Sequence, residues 1–148
     1  MSQRSEKALE LFKGGHFCSQ AVLLAFSDDL GLDSQTALKI TSGFGGGMGR
    51  MGEVCGAVTG AFMVLGYHDW QASTVSMDEK NKVSTRVRDF AKRFQQKHGS
   101  IVCRDLMGCD IGQAHGYQEA IDKGLFVSIC RPAVEDAAKI LEDMLNES

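Results

Sequence analysis

Apolar residues recur at three- and four-residue steps through most of this 148-residue chain, and this spacing constrains the fold more than any other feature. Between Met77 and His98, for example, Val83, Val87, Phe90 and Phe94 form a single stripe of a helix. Few segments alternate between apolar and polar residues, which is the pattern expected of a half-buried β-strand. The pattern predicts an all-α fold, a single-domain helical bundle of about six to seven helices spanning residues 1–148.

Local signals place the predicted helices along the chain. A glycine pair follows the first helix, Ser76 and Glu79 form a capping box before the longest one, and Pro132 opens the last. The predicted helices are Arg4 to Phe12, Phe17 to Leu30, Ser34 to Ile40, Glu53 to Gly66, Met77 to His98, Ser100 to Met107, and a final helix from Pro132. A further helical turn or two is expected from Gly116 to Lys123.

A glycine-rich loop precedes the central helix. The segment Ser42 to Gly52 holds six of the 17 glycines, so its backbone must take left-handed conformations or approach another group closely. Its spacing Gly47-x-Gly49-x-x-Gly52 matches a dinucleotide-binding pattern, but that pattern requires a preceding β-strand, and Ala37 to Thr41 has the pattern of a helix. We therefore favour close approach to a site over nucleotide binding.

Charge and hydropathy argue against two classes of partner. Lys and Arg total 16 against 19 Asp and Glu, a net charge of −3 with no block of like charges, so we expect no nucleic-acid binding. The longest low-polarity stretch, Gly56 to Tyr67, is shorter than the roughly 20 residues of a membrane helix, so we expect no membrane insertion. The polar N-terminal segment lacks the apolar core of a secretory signal, which predicts a cytoplasmic protein.

The cysteines are the candidate functional residues. An odd number of thiols, five, argues against a disulfide framework and for metal binding or redox chemistry, and no Cys-x-x-Cys pair occurs. Cys18, Cys55, Cys103 and Cys130 all fall at predicted helix starts, where the free N–H groups favour a thiolate. Cys109 has no such setting, and we interpret it as a small buried hydrophobic residue.

Four thiolates brought together could ligate an iron–sulfur cluster or a tetrahedral zinc ion, or form redox-active disulfides. The sequence places no histidine or carboxylate beside one of these cysteines as a general base. This favours ligation over nucleophilic catalysis. An electron-transfer protein is thus favoured over a thiol–disulfide oxidoreductase, and whether the protein is an enzyme stays open. The loop glycines would let the backbone approach the sulfurs. They are Gly45, Gly46, Gly47, Gly49, Gly52 and Gly56.

Five segments in fixed order carry a family resemblance: Cys18 to Phe26, Ser42 to Arg50, Gly52 to Gly60, Cys103 to Gly108, and Cys130 to Ala138. Together they resemble the C_GCAxxG_C_C family of redox-active proteins. The resemblance implies a four-cysteine centre on Cys18, Cys55, Cys103 and Cys130, and leaves Cys109 outside it. The chain departs from the family pattern at Arg131, which stands between the last cysteine and its proline.

These observations lead to a specific expectation. The four cysteines are expected to bind an iron–sulfur cluster, [2Fe–2S] in preference to other types, and to exchange electrons with a redox partner protein. A redox disulfide without any cofactor and a zinc site are the alternatives. The small-residue face from Gly56 to Ala61 predicts tight packing, either within the chain or in a homodimer.

Overall fold

The computed structural model describes residues 3–147 and has the expected all-α architecture. Its eight α-helices are α1 (Gln3–Lys13), α2 (Cys18–Leu30), α3 (Ser34–Thr41), α4 (Gly56–Asp69), α5 (Met77–His98), α6 (Cys103–Met107), α7 (Ala114–Asp122) and α8 (Arg131–Glu147). No strand occurs in this range, and the only β pairing there is an isolated bridge between Val54 and Val102. The predicted all-α single domain is confirmed.

Short-range capping explains several of the helix ends. The Asp33 carboxylate accepts a hydrogen bond from the Thr36 amide at 2.9 Å and so caps α3. Ser76 caps α5 by accepting from the Glu79 amide at 3.1 Å. The predicted capping box is only half formed, because the Glu79 carboxylate accepts instead from the Gln71 amide at 2.9 Å.

Helices α2 and α4 pack at unusually close range through the small-residue face of α4. A Cβ atom on Gly60 would lie 2.8 Å from the Ser19 carbonyl oxygen, and one on Gly56 would lie 3.2 Å from the Cys18 Cβ. Gly56, Ala57, Gly60 and Ala61 are all buried. Because α2 covers this face, the expectation of a homodimer loses that support.

The buried side chains form two clusters. The larger one lies among α1, α2, α4, α5 and α8 and includes Phe26, Phe90 and Leu141. The smaller one is built on α6 and α7 around Met107 and Ile111. Both clusters include cysteines, and the candidate site lies between them. Within residues 3–147, no helix combines the length and apolar character needed to cross a bilayer.

Candidate functional site

The structure brings the four predicted cysteines to one place. Cys18, Cys55, Cys103 and Cys130 all line a cavity of about 160 Å³, here called the cysteine cavity. The remaining wall is mostly apolar, with Leu106, Met107, Ile111 and Ile129 among its residues. Cys109 does not line this cavity.

A short antiparallel β-bridge, which the sequence did not reveal, holds the backbone segments of Cys55 and Cys103 together. Residues 53–55 run antiparallel to residues 101–103, so the Cys55 amide donates to the Ile101 carbonyl at 2.8 Å and the Cys103 amide donates to the Glu53 carbonyl at 2.6 Å. This pairing starts α4 at Gly56, three residues after the predicted start at Glu53. Cys55 and Cys103 thus lie at the starts of two helices that the bridge holds side by side.

The glycine-rich loop forms a left-handed turn against the cavity. Its five consecutive left-handed residues have φ angles of 67° at Gly46, 72° at Gly47, 67° at Met48, 65° at Gly49 and 63° at Arg50. Hydrogen bonds such as Arg50 N–H to the Gly45 carbonyl (3.0 Å) and Glu53 N–H to the Gly47 carbonyl (2.9 Å) close the turn. A left-handed conformation costs a non-glycine residue roughly 1–2 kcal/mol, so Met48 and Arg50 mark a strained segment.

Three of the six predicted loop glycines line the cavity: Gly46, Gly47 and Gly56. A Cβ atom on Gly47 would lie 2.7 Å from the Cys103 Cβ, so only glycine allows the loop to lie against that cysteine. The other three serve elsewhere. Gly45 leaves space for the Phe17 ring, Gly52 leaves space for the Arg104 side chain, and Gly49 lines a neighbouring groove.

Cys130 differs from the other three in its backbone setting. It is the last residue of a π-helical turn, Phe126–Cys130, that runs directly into α8. Cys130 directly precedes α8 as predicted, but the π-helical turn continues into α8, so the helix does not begin freely at this cysteine. Its thiol donates to the Met107 sulfur at 3.7 Å. Met107 was missed, although it follows Cys103 by one helical turn and so shares its face of α6.

Burial governs the electrostatics of the cavity. Desolvation raises the pKa of Cys55 to about 11 and that of Cys103 to about 12. A hydrogen bond between the Cys18 and Cys130 side chains, with burial, raises the pKa of Cys18, and the same bond lowers the pKa of Cys130. The expectation that helix starts favour thiolates is therefore wrong for Cys18, Cys55 and Cys103, where desolvation and neighbouring thiols outweigh the helix dipole.

The cavity does not contain a preformed site for a single metal ion. Among residues 3–147, no three His, Cys, Asp or Glu side chains converge closely enough to hold one. His16 lines the cavity, but its Nδ1 lies 3.0 Å from the Leu11 carbonyl oxygen. The tetrahedral zinc alternative is therefore not supported, because zinc requires four ligands around one point.

Comparison with known proteins gives one result. A family model described as "Putative redox-active protein (C_GCAxxG_C_C)" matches residues 16–144. The match spans all four cysteines of the cavity and the glycine-rich loop. No curated protein and no solved structure gives a significant match.

Proposed function

We propose, from the premise that the chain belongs to the C_GCAxxG_C_C family of redox-active proteins, that its cysteine cavity holds an iron–sulfur cluster used for electron transfer. The observation that carries this proposal is the convergence of four cysteines from four separate segments on one cavity. A [2Fe–2S] cluster is the simplest occupant, since it is the smaller of the two cluster types that take four cysteine thiolates.

The residues of the cavity fit such a group. Thiolates are soft ligands suited to iron–sulfur clusters, and a cluster with two irons does not require three protein ligands around one point. The apolar wall of the cysteine cavity would exclude water from the cysteine ligands. When bound, the cluster would supply a centre that accepts and releases one electron at a time.

Binding a cluster would change the protonation of the cavity thiols. Cys55 and Cys103 have raised pKa values because they are buried. Such groups become thiolates at neutral pH only when a strong positive charge binds them, and metal binding then releases their protons. Gly47 permits the backbone to lie against Cys103, and the Val54–Val102 bridge fixes the separation of the two helix starts.

Anaerobically purified protein is expected to contain iron and acid-labile sulfide and to absorb visible light. Two irons and two sulfides per chain are expected for a [2Fe–2S] cluster. The measurement is colorimetric iron and sulfide analysis with an absorption spectrum, before and after cluster reconstitution. Colourless, iron-free protein after reconstitution would refute the proposal.

A second candidate, a thiol–disulfide oxidoreductase, is favoured by the interaction of two thiols in the cavity. The Cys18 side chain lowers the pKa of Cys130, as expected for an attacking thiolate beside its resolving thiol. The Cys130 thiolate would attack a substrate disulfide and form a mixed disulfide with it. The Cys18 thiol would then attack Cys130 in this mixed disulfide and release the reduced substrate. Forming the Cys18–Cys130 bond removes two electrons and two protons, which convert the substrate disulfide into two thiols. The two candidates thus differ in exchanging one electron or two.

A further inference from the structure

Three cations lie in the walls of the cysteine cavity and of a groove beside it. Arg50 lines the cavity itself, while Lys13 and Arg131 line a shallow groove beside it. The cavity and the groove share Phe12, His16 and Phe126 as a common wall. We call Lys13, Arg50 and Arg131 the basic rim.

No acidic side chain of the described residues forms an ion pair with the basic rim. Neither the cavity nor the groove has Asp or Glu in its wall, and Asp110 lines another groove, which Arg50 also lines. Of the carboxylates in residues 3–147, none lies within ion-pair distance of a rim residue. This contrasts with the net charge of −3 of the whole chain and with the paired Arg4, Arg86 and Arg93 elsewhere.

Arg50 is held in place without using its hydrogen-bond donors. Its guanidinium carbon lies 5.7 Å from the centre of the Phe17 ring and 5.5 Å from that of Tyr117, a cation–π arrangement on two rings. Its side chain is exposed and donates no hydrogen bond within the described residues. The backbone conformation at Arg50, with φ of 63°, is one that few arginines adopt. The guanidinium is thus held at the cavity wall with its donors available.

Exposed apolar side chains accompany these cations. Met51, 60% exposed, follows Arg50 and shares its outer groove, and Val127, 52% exposed, lies with Arg131. A small anion would need only the charges, whereas cations mixed with apolar side chains suit the surface of another protein. Transient redox complexes use such small, charge-guided interfaces.

We propose that the basic rim is the docking surface for an acidic patch on this protein's redox partner. The inference rests on the proposed redox function, because it assigns the rim to the protein that exchanges electrons with the cysteine cavity. Docking there would place the partner beside the cysteine cavity. Complementary charge would speed the encounter and orient the partner.

The test uses a small acidic [2Fe–2S] ferredoxin as the probe and isothermal titration calorimetry at low ionic strength. We expect the ferredoxin to bind, the affinity to fall as salt is raised, and basic cytochrome c not to bind. Arg50→Gln with Arg131→Gln is expected to weaken ferredoxin binding by about tenfold. NMR amide shifts should move around residues 13, 50 and 131.

The matched control is Lys80→Gln with Arg88→Gln, which removes two exposed cations of α5 that form no ion pair in the described residues. We expect this control to bind the ferredoxin like the unaltered protein. Absence of binding at low salt, or equal weakening in the rim and control variants, would overturn the proposal. Binding is measured on the anaerobically purified protein. Because docking depends on surface charge, it is expected whether or not iron is found, so failure of this proposal is distinguishable from failure of the cluster proposal.

Discussion

Replacing Cys55 with serine is expected to abolish the bound cluster, whereas Cys109→Ser should leave iron and sulfide content nearly unchanged. Cys55 is 7% exposed and caps the start of α4, and its amide is fixed by a hydrogen bond to the Ile101 carbonyl. Serine supplies a hard oxygen ligand in place of the soft thiolate. Cys109 lies outside the cavity. Iron and sulfide analysis of both variants, purified side by side, measures the difference.

Circular dichroism provides the control for this comparison. Both variants should retain the helical spectrum, and Cys55→Ala, which adds no polar atom to a buried position, checks that the loss does not come from the serine hydroxyl. If Cys109→Ser lost the cluster while Cys55→Ser kept it, the assignment of the centre to the cysteine cavity would be wrong.

Gly47→Ala is expected to destabilise the fold and to prevent cluster binding. The new Cβ would lie 2.7 Å from both the Cys103 Cβ and the Glu53 amide nitrogen, so the loop or Cys103 must move. The φ of 72° adds roughly 1–2 kcal/mol of strain. We expect a free energy of unfolding lowered by more than about 2 kcal/mol, measured by urea denaturation, together with loss of iron.

Gly49→Ala separates these two causes. Gly49 has a similar φ of 65°, but a Cβ there would meet only the Gly43 carbonyl oxygen, at 3.9 Å. We expect this variant to lose roughly 1–2 kcal/mol through strain alone and to retain its cluster. Equal loss of iron from the Gly47 and Gly49 variants would show that the contact with Cys103 is unimportant.

Features encoded by neighbouring residues were predictable from the sequence. The helix from Met77 to His98 has the bounds that the sequence predicts, because Ser76 caps its start and Gly99, with φ of 87°, ends it. The four cysteines could be selected because each lies in the first turn of a predicted helix or directly before one, and all four line one cavity. The role of these cysteines stays a prediction.

Features that depend on distant parts of the chain were not predictable. The bridge between Val54 and Val102 involves too few residues to leave a strand pattern in either segment. The glycines indicated freedom in the loop, but not that Met48 and Arg50 would share its left-handed conformation. The raised pKa of Cys55 arises from burial by the assembled fold, which a helix-start argument does not include.

A spectroscopic redox titration tests the central claim most directly, namely that the four cysteines form one cluster-binding centre. The reconstituted protein is titrated anaerobically while its visible absorption is followed against potential. We predict a one-electron transition, in which the ratio of oxidised to reduced protein changes tenfold per about 59 mV. If the protein stays colourless, and thiol counts at each potential instead show Cys18 and Cys130 lost together at about 30 mV per tenfold change, the transition involves two electrons; that result would contradict the account and assign the protein to dithiol chemistry.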